Sequence, residues 1–215
     1  MNIYDNYFDE LMELFPSLND FLNLDKYKHL QTKLENPFDK SHIKKQKELY
    51  KKYLDLISKK KRKNVYDKTL LYMCDEALES YKYNYDLTPI NHQDNLLASI
   101  LEMANGEGVY IFKVKQDYVN FIEKIQIFDD IVQSVIDNMK QGIKKCYTMP
   151  KIICIKLIEQ LEALLSTKTY LNNSIKIKLD FDFNEQCESI FSPSLTRLIV
   201  FLKKEYLNTC RTTIG

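Results

Sequence analysis

Apolar residues recur at intervals of three and four along most of this chain. Ile3, Tyr4, Tyr7, Phe8, Leu11, Leu14 and Phe15 share one side of a helix whose other side carries Asp5, Asp9, Glu10 and Glu13. Pro16 closes that helix. A short element with Leu18, Phe21 and Leu22 follows, then a polar connector through Asn36 and Pro37. Ser41 is placed to cap a long helix patterned on Ile43, Gln46, Leu49, Tyr50, Tyr53, Leu54 and Ile57. Asn64 or Asp67 starts the next helix, whose predicted core face is Tyr66, Leu70, Met73, Ala77 and Tyr81, ending near Tyr83. Asp86, Pro89 and Asn91 mark a loop from Asn84 to Gln93. The pattern then predicts a helix from Asp94 to Ala104, stopped by Gly106 in the left-handed position.

In the second half, Val109 to Phe112 reads as an extended link into the longest predicted helix, Lys115 to Lys145. Its stripe of Tyr118, Phe121, Ile122, Ile125, Phe128, Ile131, Val132, Val135 and Met139 is wide enough to be covered on several sides, which predicts a central position. Thr148 as cap and Pro150 in the first turn predict another helix, with Ile152, Ile155, Ile158, Leu161 and Leu165 as its core positions. Ile175, Ile177, Leu179, Phe181 and Phe183 alternate, so 175–183 is expected to be extended. A final helix is predicted from Asn184 to Gly215, broken at Pro193. The expected fold is all-α, a single domain over 1–215 built as a bundle of about seven to nine helices.

Composition sharpens this picture. Only four glycines and five prolines are present, too few for the many tight turns of a sandwich or barrel. No apolar run is long enough to span a membrane, and Met1 to Asp5 lacks the pattern of a secretory leader, so a cytoplasmic or nuclear location is expected. Five widely spaced cysteines (Cys74, Cys146, Cys154, Cys187 and Cys210) include no CxxC pair and are expected to be reduced thiols. Charge is unevenly spread. Lys40 to Lys63 holds eleven Lys or Arg against two acids, a surplus of +9, and since the chain totals +1 the remainder carries −8. The run Lys59, Lys60, Lys61, Arg62 and Lys63 can be read as an import or anion-binding signal, or as a solvated helix end whose cations suit the helix dipole. Exposure, and dispensability for folding, are expected of it.

Candidate chemistry is sparse. A helical zinc peptidase needs two histidines four apart with a glutamate beside the first. His29, His42 and His92 offer no such pair, so no metal or catalytic residue is assigned and no cofactor is expected for this chain alone. Asn105-Gly106-Glu107-Gly108 lacks the strand and the Lys-Ser or Lys-Thr of a phosphate loop and reads as a helix-ending turn. Tyr81 to Tyr85 could stack on bases, but helix-end packing accounts for it as well.

The order of several segments resembles a known family. Asn91-His92-Gln93 after Pro89, then Gly106, Gly108, Tyr110 and Phe112, then Asp117-Tyr118, is similar to the shared block of the domain of unknown function 885 proteins. Gly142-Ile143 with Pro150, Leu157 to Leu161, and Pro193 through Tyr206 to Gly215 continue the likeness. The resemblance implies a helical scaffold related to zinc peptidases whose zinc-binding HExxPGHxxQ segment lies downstream. No residue here has a counterpart among those ligands, so zinc is implied only for a downstream half. The implied reading is a non-catalytic front half of a metallopeptidase-like protein, with that half or a second copy as partner. The alternative is a helical interaction or nucleic-acid-binding module using the basic 40–63 helix, with nucleic acid the less favoured partner.

Overall fold

Asn2 opens the first helix, α1 (Ile3–Leu14), by accepting a hydrogen bond from the Tyr4 N–H. The computed structural model describes residues 2–93, 95–106, 109–172 and 174–213. After α1 come α2 (Leu18–Leu22), a 3-10 segment at Asp25–Leu30, and the antiparallel hairpin of α3 (Lys40–Ser58) and α4 (Val65–Ser80). The second half holds α5 (Leu96–Asn105), α6 (Lys115–Ile125), α7 (Phe128–Lys144), α8 (Lys151–Thr167) and α9 (Phe183–Phe201). The described residues thus form nine α-helices and no strand, an all-α bundle.

Among the described residues three apolar clusters result, the least of them Met12, Tyr27 and Leu30 between α1 and the 3-10 segment. Of the other two, the smaller joins α1 to the hairpin through Tyr7, Leu49, Tyr53, Ile57, Leu70 and Cys74. The larger gathers α5 to α9, with Phe128, Ile131, Val132, Val135 and Met139 of α7 fully shielded at its centre. The connector ties the halves: Asn36 Nδ2 donates to Ser134 Oγ at 2.9 Å, and Asn138 Nδ2 of α7 donates to the Phe38 carbonyl at 2.9 Å.

Several sequence expectations need correction. Asp39, not Ser41, caps α3, its carboxylate accepting from the Ser41 and His42 N–H groups at 2.9 and 3.0 Å. Thr148 does not cap α8; Pro150 occupies that position, and the Thr148 hydroxyl donates to the Thr209 carbonyl at 2.9 Å. The face of α4 is rotated from the predicted one. Asp67, Leu70 and Cys74 are buried, while Tyr66 and Met73 are exposed. Ile152 of α8 likewise faces outward, and Cys154, Leu157, Ile158 and Leu161 take the core.

The predicted single helix from Lys115 to Lys145 is two helices. Between α6 and α7 the Gln126 N–H bonds to Glu123 three residues back rather than four. The spacing explains the break. Ile122, Ile125, Phe128 and Ile131 step by three, and nine residues of a straight α-helix turn through two and a half turns, which would put the two ends on opposite faces. A tighter turn keeps all four against the core. Conversely, Pro193 does not break α9. It sits on the exposed side of the helix, and the irregularity comes later as a π-turn at Leu202–Tyr206. Helix ends with the 3-10 turn at Leu207–Thr209; Ile214 and Gly215 lie outside the described residues. Residues 175–182 alternate in burial as expected and lie as a strap over the larger core, but the segment bends at Ile177, Asp180 and Phe181, forms no strand, and gives way to α9 at Phe183. Gly106 ends α5 with φ +86°, as the turn requires.

Candidate functional site

A cleft of about 560 Å³ lies between the loop before α5 and the start of α8, both within family-like segments. Asn91, His92 and Gln93 line one side; Tyr147, Thr148 and Arg211 line the other. The loop holds its shape through Asn91, whose side-chain oxygen accepts the Gln93 N–H at 2.7 Å. The opposite wall is stitched to the chain's final segment. Lys151 N–H donates to the Arg211 carbonyl at 2.8 Å, and Met149 N–H donates to the Tyr206 hydroxyl at 3.0 Å, so a buried tyrosine and an isolated bridge between Pro150 and Arg211 fix the entrance of α8.

Of Asn91, Gln93, Gly106, Tyr110, Phe112, Asp117 and Tyr118, Asn91 and Gln93 line this cleft, together with His92, Pro150 and Arg211 from the same family-like segments. Tyr110, Phe112, Asp117 and Tyr118 build a separate aromatic packing centre at the start of α6. Asp117 accepts from the Lys113 and Val114 N–H groups at 2.7 and 2.9 Å, capping α6. Phe112 stacks on Tyr118 at 4.5 Å and meets Phe121 and Phe183 edge-on at 5.4 and 5.3 Å. Gly106 is positional too, since a Cβ there would lie 2.9 Å from the Asn172 amide nitrogen. Gly108 lies outside the described residues. Most of the block therefore shapes the scaffold.

The sequence reading missed a buried ion pair. Lys124 of α6 places its Nζ 2.7 and 2.6 Å from the two carboxylate oxygens of Asp20 on α2, with the two side chains only 1% and 5% exposed, and the Tyr110 ring lies 5.4 Å away. Burial pushes the Asp20 carboxyl above the usual carboxylate range, although Lys124 pulls the other way. The pair edges a second cleft of about 390 Å³ lined by Asp20, Asn23, Tyr110, Lys113 and Asp117. A signal for Lys124 was present: it stands three residues after Phe121 and four before Phe128, inside an apolar stripe. Nothing local pointed to Asp20.

The basic run is less uniform than expected. Lys59 ends α3, and Lys60 to Asn64 form the loop into α4. Lys61 and Arg62 are exposed, but the Lys60 Nζ lies 2.6 Å from Asp67, whose side chain is 3% exposed, and the Lys63 Nζ donates to the Ser58 and Lys60 carbonyls at 3.1 and 3.0 Å. Two of the five cations, Lys60 and Lys63, are thus partly shielded and partnered, where exposure of the whole run was expected. Lys60, ahead of the Tyr4 hydroxyl and the Asn64 N–H, holds the Asp67 carboxyl below its usual range. A depressed carboxylate contributes stability above its unfolded pKa of about 3.9 and loses it as pH falls through the lower folded value. Replacing Lys60 by Met should therefore lower the thermal midpoint and flatten the acid limb of stability against pH, while Lys61→Gln and Arg62→Gln should change neither. Equal effects from all three would contradict the pairing. The lysines of α3 are partly neutralised as well: Lys52 meets Glu10 at 2.6 Å and Lys44 meets Glu48 at 3.9 Å.

The His29 Nε2 lies 2.6 Å from Glu13, and His42 packs edge-on against Phe15 at 5.4 Å, where burial lowers its pKa. His92 lines the cleft. Among the described residues no three His, Cys, Asp or Glu side chains converge on a point that could hold a metal ion. The five thiols are free, with Cys74, Cys154 and Cys187 buried and Cys146 exposed on the cleft. Burial pushes the Cys154 and Cys187 thiols up to about 12, which leaves them unreactive. Among the described residues no helix is long and apolar enough to cross a membrane.

No curated protein matches the chain. Residues 16–215 match the family described as "Bacterial protein of unknown function (DUF885)". With nearly its whole length covered, this chain belongs to the DUF885 family.

Proposed function

We propose that this chain is a non-catalytic helical half of a zinc-metallopeptidase-like protein, supplying a binding wall while a partner segment supplies the metal. The observation that carries the reading is the chemistry of the cleft. Asn91, Gln93, Tyr147 and Thr148 offer hydrogen bonds and Arg211 a permanent cation, a set suited to holding a peptide backbone or carboxylate. A water-activating site for peptide hydrolysis typically needs about three protein ligands around zinc, and the cleft contributes only His92 of the three histidines. The expected location is the cytoplasm.

The test is metal analysis and peptide hydrolysis on the purified chain, with and without an HExxH-bearing segment from a family member. The chain alone should hold far less than one equivalent of zinc and cleave nothing. Addition of the zinc-bearing segment should give metal-dependent cleavage that Arg211→Met weakens through KM. Stoichiometric zinc or turnover in the chain alone would overturn the proposal.

A further inference from the structure

Helix α4 carries an apolar stripe on the wrong side for its own fold. Leu70 and Cys74 face the core with α3, yet Val65, Tyr66, Tyr72 and Met73 point outward, 67%, 68%, 66% and 51% exposed. With Thr69 between them they recur at the three-, four- and seven-residue spacing of one helix face. Isolated surface tyrosines need no explanation, but a contiguous stripe of this kind is the pattern of a helix that docks on another.

The charges around the stripe select the occupant. Lys61, Arg62 and Lys68 cluster toward its N-terminal end, Asp75 and Glu76 toward its C-terminal end, and all five are exposed without an ion pair among the described residues. A uniformly acidic or basic partner would be repelled at one end. A second copy laid antiparallel across the stripe is attracted at both, because a two-fold axis at Tyr72 sets Lys68 of each copy opposite Glu76 of the other and Thr69 opposite Asp75. Parallel stacking would oppose like charges, so the arrangement also fixes direction. We propose that the chain self-associates as a symmetric dimer through the outer face of α4, with Tyr66, Tyr72 and Met73 at the centre of the interface and the Lys61–Lys68 and Asp75–Glu76 groups closing its two ends. A helix of this length is about 24 Å long, and one helix pair buries less than the roughly 800 Å² per partner of a standard interface, so the dimer is of micromolar rather than nanomolar strength.

Sedimentation equilibrium on the full chain, from low to several hundred micromolar, tests this independently of zinc or peptidase activity. The expected result is a monomer–dimer equilibrium weakened by raised salt. Lys68→Glu or Glu76→Lys should each weaken it by about tenfold, since each places like charges at both symmetric ends. The double variant K68E/E76K restores opposite charges and should recover the wild-type constant within about threefold. Circular dichroism on each variant establishes that α4 remains folded. A wild-type chain that stays monomeric throughout the range, or a double variant as weak as the singles, would overturn the proposal.

Discussion

Lys124→Ala is expected to destabilise the chain by about 3–5 kcal/mol, the largest effect of any single polar substitution, because it strands a carboxylate in the interior. The ammonium of Lys124 satisfies both oxygens of Asp20, and the two side chains are only 1% and 5% exposed. Removing the cation leaves Asp20 to be protonated or unpaired. The pair is not a strong net stabiliser, however. Burial already raises the Asp20 carboxyl above its unfolded value, so as pH falls the folded chain takes up that proton first. For this group alone, stability rises on acidification, opposite in sign to Asp67. An apolar replacement of both partners, Asp20→Leu with Lys124→Met, should therefore recover most of the loss. Urea unfolding followed by circular dichroism measures all three chains. A loss below about 1 kcal/mol for Lys124→Ala would mean that water reaches the carboxylate.

Gly142→Ala is expected to destabilise by about 1–3 kcal/mol, although alanine is normally the better helix residue by up to about 1 kcal/mol. Gly142 is buried in the last turn of α7, where an added Cβ would lie 2.6 Å from the Tyr147 carbonyl oxygen and 2.9 Å from that of Leu87. Both obstacles are backbone, so neither can swing aside as a side chain would. The Tyr147 N–H also bonds back to the Gly142 carbonyl at 2.8 Å, closing the turn that leads to the cleft. The substitution should thus lower the urea midpoint and displace Tyr147 from the cleft wall. A neutral or stabilising result would show that the 146–148 turn gives way without cost. The same contact gives a physical reason for glycine in this family-like segment.

Local elements were legible in the sequence because their causes lie within a turn of each residue. The start of α4 at Asn64, one of two starts the spacing allowed, the left-handed Gly106 and the buried stripe of α7 need only neighbours three or four positions away. Even the split between α6 and α7 was written in the three-residue steps from Ile122 to Ile131, although a continuous apolar stripe concealed it.

What the sequence alone determined is the class: helical spacing, scarce glycine and an ordered set of family-like segments, which together specify an all-α chain of the DUF885 family. Tertiary structure decided which faces were used. Tyr66 and Met73 satisfy the spacing of a core face as well as Asp67 and Cys74 do, and only the approach of Lys60, Tyr4 and α3 turns the acid inward and the aromatic outward. The same holds for Lys124, whose burial depends on a carboxylate 104 residues away, and for the cleft, one wall of which is completed where Arg211 returns to Pro150. Periodicity reports the geometry of one helix; the cost of burying a charge is set by what the rest of the chain brings to meet it.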